Sequence, residues 1–229
     1  MSAGPGGMLP EGSELIIDKV QRQLQRIYEI DTEHSVSEFL VTDAALVSQI
    51  EGGQPGTRDI QEKLLVRQDG EEIDVALYVE RDVLTRLTQA DPTQKLNREN
   101  LADYLVLLEG VSHFLYLDWN ATHERPVTLL ELELQAEVDK FVSSVFWIGA
   151  QEKGRVPRNL GSVLFDDVDY DEQLDADGRE RYETANRAAM KYCQTLEERF
   201  LTQRRVRDMV GDLRRFWRLR QEEKLRAAS

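Results

Sequence analysis

The sequence predicts an α+β protein, predominantly helical, with a small antiparallel β-sheet and a long amphipathic C-terminal helical region. Three observations carry that expectation. Two apolar segments, KLLVRQ and IDVALYV, flank DGEE at residues 69–72, and Asp-Gly is strong hairpin-turn chemistry. Most of the remaining chain repeats its apolar residues at helical spacing. From about residue 180 a near-heptad stripe runs toward the end of the chain.

The elements follow in order. Residues 1–12, MSAGPGGMLPEG, read as a flexible arm with neither the basic start nor the apolar core of a signal peptide. SELIIDKVQRQLQRIYEI is the first helix, with Ser13 as N-cap and Leu15, Ile16, Val20, Leu24 and Ile27 on one face. SEFLVT at 37–42 is a short strand, and a helical piece follows from Ala44 to Ile50. GGQPG at 52–56 breaks the chain. In the hairpin, Ile73, Val75, Leu77 and Val79 alternate with Asp74, Ala76 and Tyr78, so one face should be buried and the other wetter. Because an isolated hairpin is marginal in water, it needs a third strand, with 37–42 the candidate, and a helix across its apolar face.

Beyond Glu80 the pattern is helical. ERDVLTRLTQA stops before Pro92, and Asn97 can cap the segment Leu101 to Trp119. Pro126 suits the first position of the next helix, which runs to about Ile148. An acidic stretch at 166–178 leads into the last region. There Tyr182, Ala185, Ala189, Tyr192, Leu196, Val206, Val210, Leu213 and Trp217 share a seam, interrupted by Arg199 and Gln203. One long helix or a bent pair satisfies that stripe equally. The expected organisation is an arm (1–12), an α+β core domain (13–165) and a C-terminal helical region with a basic end (166–229).

Charge is distributed unevenly. The net charge is −14, yet residues 199–229 hold ten basic and four acidic groups, leaving −20 on the rest. An acidic body with a basic amphipathic tail points to the tail packing on the body, on a second copy of the chain or on an acidic partner. The same acidity disfavours nucleic acid. Asp103, Glu109, His113 and Asp118 interrupt the apolar run from Leu101 to Trp119, which argues against a membrane span. The single cysteine, Cys193, excludes an internal disulfide and fits a reducing, cytoplasmic setting.

The chemistry-bearing candidates are few. On the greasy helix, Glu109 and His113 stand four residues apart and therefore side by side. Buried there, the carboxylate must be paired, hydrogen-bonded or protonated. A purely structural polar pair answers that need. So does a metal site with a third ligand from the Pro126 helix, where Glu137 lies near the edge of the buried stripe and Glu131 borders its other side. His123 and Arg125, beside the start of that helix, have the composition of an anion site or of an ordinary exposed turn. Asp167, Asp169 and Asp171 resemble a calcium loop only superficially, since Glu172 and Gly178 occupy the positions that need glycine and a bidentate acid. No P-loop and no Gly-x-Ser-x-Gly elbow is present.

The leading functional expectation is a non-catalytic, cytoplasmic interaction or adaptor protein, cofactor-free, that binds a protein partner or a second copy. Its binding residues would be Arg204, Arg205, Arg214, Arg215, Phe216 and Trp217. The alternative is a metal-binding helical protein or metal-dependent enzyme that holds a divalent ion through Glu109, His113 and Glu137. Nucleic-acid binding through the C-terminal arginines and aromatics stands third.

Overall fold

A computed structural model describes residues 2–3, 13–50, 60–70, 72–166 and 175–229. The breaker at 52–56, most of the acidic stretch at 166–178 and all of the N-terminal arm except Ser2–Ala3 lie outside them. The protein is predominantly helical with one small sheet, as expected. Two compact units divide the chain, Met1–Arg22 with Thr32–Asp118, and Gln23–Asp31 with Trp119–Ser229. These boundaries do not coincide with the break expected at 165/166. Among the described residues no helix is long and apolar enough to cross a membrane.

The first unit is built around the hairpin. Strand β1 is Ser2–Ala3, helix α1 is Ser13–Tyr28 (from Gln23 onward part of the second unit), and a single 3-10 turn, Val36–Phe39, leads into β2, Leu40–Val41. Helix α2 (Ala44–Ile50) follows, then β3 (Glu62–Asp69) and β4 (Glu72–Val79). β3 and β4 pair antiparallel from Glu62↔Val79 to Asp69↔Glu72, and Gly70 takes the left-handed φ of +63° that a tight turn demands. β1 and β2 both pair with β4 in parallel, at Ser2↔Asp74 and Leu40↔Leu77. The third strand is thus where residues 37–42 were expected to supply it, but it makes the sheet mixed rather than wholly antiparallel.

Both faces of β4 are covered. Val75 through Val79 are all buried, because Ala76 and Tyr78 cluster with Val41 and Val47, against which Leu46, Ile60 and Leu65 pack. The face expected to be wetter is therefore a second core layer, with α2 providing Val47. Helix α3 (Arg81–Gln89) buries Val83, Leu84 and Leu87, and helix α4 (Leu101–Thr122) follows. α4 is preceded by Asn100, whose side chain donates to Ala90 O and Lys95 O and accepts from Asn97 N. From Asp103 to Ala121 no residue of α4 is exposed, in line with its apolar circumference.

The second unit contains helix α5 (Leu129–Gln151), α6 (Leu160–Phe165), α7 (Ala176–Leu196), α8 (Val206–Arg218) and α9 (Gln221–Ala227). α5 does not start at Pro126. Thr128 is its N-cap, accepting from Glu131 N while the Glu131 carboxylate accepts from Thr128 N, a reciprocal capping box that outweighs the preference of proline for the first turn. The C-terminal stripe is also broken. α7 widens into a π-helical turn, Glu197–Leu201, and Arg204 then adopts a left-handed φ of 58°. The extra residue per turn rotates the seam, so Leu213 and Trp217 are buried but Val206 is exposed. The stacked pairs Tyr28–Trp217, at 4.3 Å, and Tyr192–Phe216, at 4.0 Å, lie in this unit's core.

Candidate metal centre

The first unit joins Glu62, Glu109 and His113. Each offers one ligand atom, and the three atoms lie within 4.8 Å of one another. Glu109 and His113 come from successive turns of α4, as their spacing requires, and Glu62 is the first residue of β3. His113 Nδ1 is 3.9 Å from Glu62 Oε1, with the two side chains only 8% and 11% exposed.

Gly110 explains the close approach of β3 to α4. A Cβ at this position would stand 2.7 Å from Leu77 Cδ1 and 2.9 Å from Glu62 Cγ. A side chain here would force Leu77 and Glu62 to shift, so glycine suits the close approach of the Glu62 side chain to α4. The chemistry follows from the donor set. Two carboxylates and an imidazole gathered in a nearly dry setting are donors that a divalent cation can accept.

One imidazole nitrogen and two carboxylate oxygens suit a first-row divalent ion such as zinc, manganese or iron(II) better than calcium, which takes six to eight oxygens. Bonds of about 2.1 Å place ligands roughly 3–4 Å apart, within a small side-chain rotation of the observed spacing.

No protein-family model matches this chain, and comparisons with curated proteins and with solved structures gave no significant match. The site stands on its own geometry.

Glu137, the third ligand expected from sequence, belongs to the other unit, where its Oε1 accepts from Lys140 Nζ at 2.7 Å. Glu131 is occupied in the α5 capping box. His123 and Arg125 are likewise engaged: His123 Nδ1 lies 2.7 Å from Trp119 O, while Arg125 donates to Arg218 O and covers the Trp119 ring.

The six residues expected to bind a partner divide into two groups. Phe216 and Trp217 are 1% and 0% exposed and form core rather than surface. Arg214 donates to Ile27 O and, at 2.7 Å, to Glu29, which ties α8 to the end of α1. Arg204, Arg205 and Arg215 remain exposed, the last two paired with Asp208 and Asp212 on their own helix.

Two buried polar constellations escaped the sequence reading. In the first unit, His34 Nδ1 meets Asp118 Oδ1 at 2.9 Å, and burial pushes the Asp118 carboxyl above its usual range while His34 pulls it down. In the second, the fully buried Lys224 amine donates to Gln135 Oε1. The Gln135 amide in turn donates to Asp139 and to the Tyr28 hydroxyl, which itself donates to Asp139. Neither had a usable signal. His34 is 84 residues from its partner, and Lys224 sits in a basic tail whose charges read as solvated.

Proposed function

We propose that the protein binds a divalent first-row transition-metal ion through Glu62, Glu109 and His113. The observation that carries the reading is the convergence of these three ligands, at most 4.8 Å apart, from a strand and a helix held together over Gly110. A bound ion would cross-link the hairpin to α4. Three protein ligands leave further coordination positions for water or a small anionic molecule. A cytoplasmic setting accords with the sole cysteine being a buried free thiol.

The test is calorimetric titration of chelator-treated protein with zinc and with manganese. The expected result is one ion per chain for at least one of the metals, with a rise in Tm on loading. Glu109→Gln and His113→Ala should each weaken binding by roughly 10–100-fold or more. Absence of saturable binding, or binding indifferent to both substitutions, refutes the reading.

The interaction reading keeps one specific support, the exposed cations Arg204 and Arg205 at the α7–α8 corner and Arg215 in the last turn of α8. An acidic protein surface is the partner they would suit. Truncating the tail cannot test this, because α8 carries the buried Trp217. Charge reversal at the three arginines can: it should abolish salt-sensitive capture of the partner while leaving Tm unchanged, and retained capture would sink the idea.

A further inference from the structure

The last helix is held in an unusual way. α9 is seven residues long and follows Leu219, an extended residue (φ −72°, ψ 154°) that separates it from α8. Its start is fixed by polar contacts to the α4–α5 connection and the first turn of α5. Arg220 donates to Pro126 O, Gln221 N donates to Glu131 Oε1 at 2.9 Å, and Thr128 donates to the Gln221 side chain. Its middle is fixed by Lys224, whose amine lies inside the unit, 4.5 Å from the centre of the Phe216 ring. A lysine fully enclosed at one end of a chain is a costly anchor, since a short apolar side chain could fill such a place without the penalty of desolvating an amine.

We propose that α9 is a detachable latch, pinned by the Lys224 amine in the Gln135–Asp139–Tyr28 socket and released when that amine takes up a proton. The groups facing the amine come from four elements. α5 contributes Gln135, Asp139 and, farther off, Glu131; α1 contributes Tyr28; the α4–α5 connection contributes Arg125; α8 presents the Phe216 ring. Of these, Asp139 and Glu131 favour the charged amine, while Arg125 opposes it. Desolvation exceeds them all and lowers the Lys224 pKa to about 7. Burial pushes the Tyr28 phenol well above its ordinary range, so it remains a protonated donor to Asp139 throughout.

The sign follows from linkage. Released into water, Lys224 regains an ordinary pKa of about 10.4. Between that value and about 7 the open form holds one more proton than the docked form. Each unit of pH lost across this window therefore raises the opening constant about tenfold, and below about 7 the effect levels off.

The opening constant can be read in the full chain from thiol protection. Ala228→Cys places a thiol where α9 ends, at a residue 4% exposed. Its labelling rate is divided by that of an unstructured peptide thiol at each pH, and the baseline from the buried Cys193 is subtracted. The protection factor should fall about tenfold per pH unit from 10 to 7 and then flatten. In the Ala228→Cys/Lys224→Met double variant the slope should vanish. A slope unchanged by Lys224→Met, or protection independent of pH, overturns the latch. Nitrogen NMR of the lysine side chains in the unaltered chain is a second reading that needs no variant. A Lys224 amine titrating near the ordinary lysine value contradicts the proposal, and one titrating near neutrality supports it.

Discussion

The Glu62–Glu109–His113 cluster and the Lys224 socket meet the same physical difficulty in opposite ways. Each places ionisable groups where water is scarce. In the second unit the Lys224 amine, its pKa lowered to about 7 by burial, meets the neutral Gln135, which together with Tyr28 also satisfies the Asp139 carboxylate. The first unit instead sets two carboxylates and one imidazole within 4.8 Å of one another, the donor set of a metal site. The contrast teaches that donor chemistry separates the two kinds of buried polar cluster. One closed by its own amide and phenol groups is architecture or a switch, whereas one made of metal-ligating atoms can take an ion.

The largest effect is expected in the second unit's core. Trp217→Ala removes the ring stacked on Tyr28 and should cost about 3–5 kcal/mol in urea unfolding. A loss below about 1 kcal/mol would return Trp217 to the surface role its sequence suggested. Asp139→Ala comes next. It strips the acceptor from Tyr28 and Gln135 and should cost about 1–3 kcal/mol.

Gly110→Ala probes the first unit at the same scale. Its methyl group collides with Leu77 and Glu62, an overpacking cost of about 1–3 kcal/mol, partly offset by the better helix propensity of alanine. Unlike the two core variants, it should also lower metal affinity, because Glu62 must move. Calorimetry on Gly110→Ala beside Trp217→Ala checks whether the two effects separate.

A smaller, pH-resolved effect is expected at Asp118. Its carboxyl is already raised by burial, so from the ordinary carboxylate pKa up to the raised one the folded state holds more protons than the unfolded chain. Stability attributable to Asp118 therefore declines as pH rises through that window. His34→Ala removes the group that lowers this pKa, and carboxyl NMR should show Asp118 titrating higher still. The smallest change is expected from Arg215→Glu, within about 0.5 kcal/mol, since that side chain is exposed and paired only along its own helix.

Much of the fold was legible because the signals were local. Asp-Gly announced the hairpin, and the apolar circumference of Leu101–Trp119 announced a buried helix. The pairing of Glu109 with His113 followed from helical spacing alone. Glu62 did not, because the predicted strand began one residue later, at Lys63, and the contact depends on a register 47 residues away. Gly110 carried that information, but a glycine within a helix does not say which neighbour it admits. The parallel pairing of β2 escaped because alternation fixes the faces of a strand and not its direction. The seam through Val206 failed for a further reason: one π-helical turn and one left-handed arginine shift its phase without leaving a compositional mark.

Chelator-competition affinities for zinc and manganese, measured on Glu62→Gln and Glu137→Gln beside the unaltered protein, test the central claim most directly. The expected result is one tightly held ion per chain, roughly 10–100-fold weaker binding or worse in Glu62→Gln, and unchanged binding in Glu137→Gln. No bound ion in the unaltered protein, or equal losses in the two variants, would contradict it.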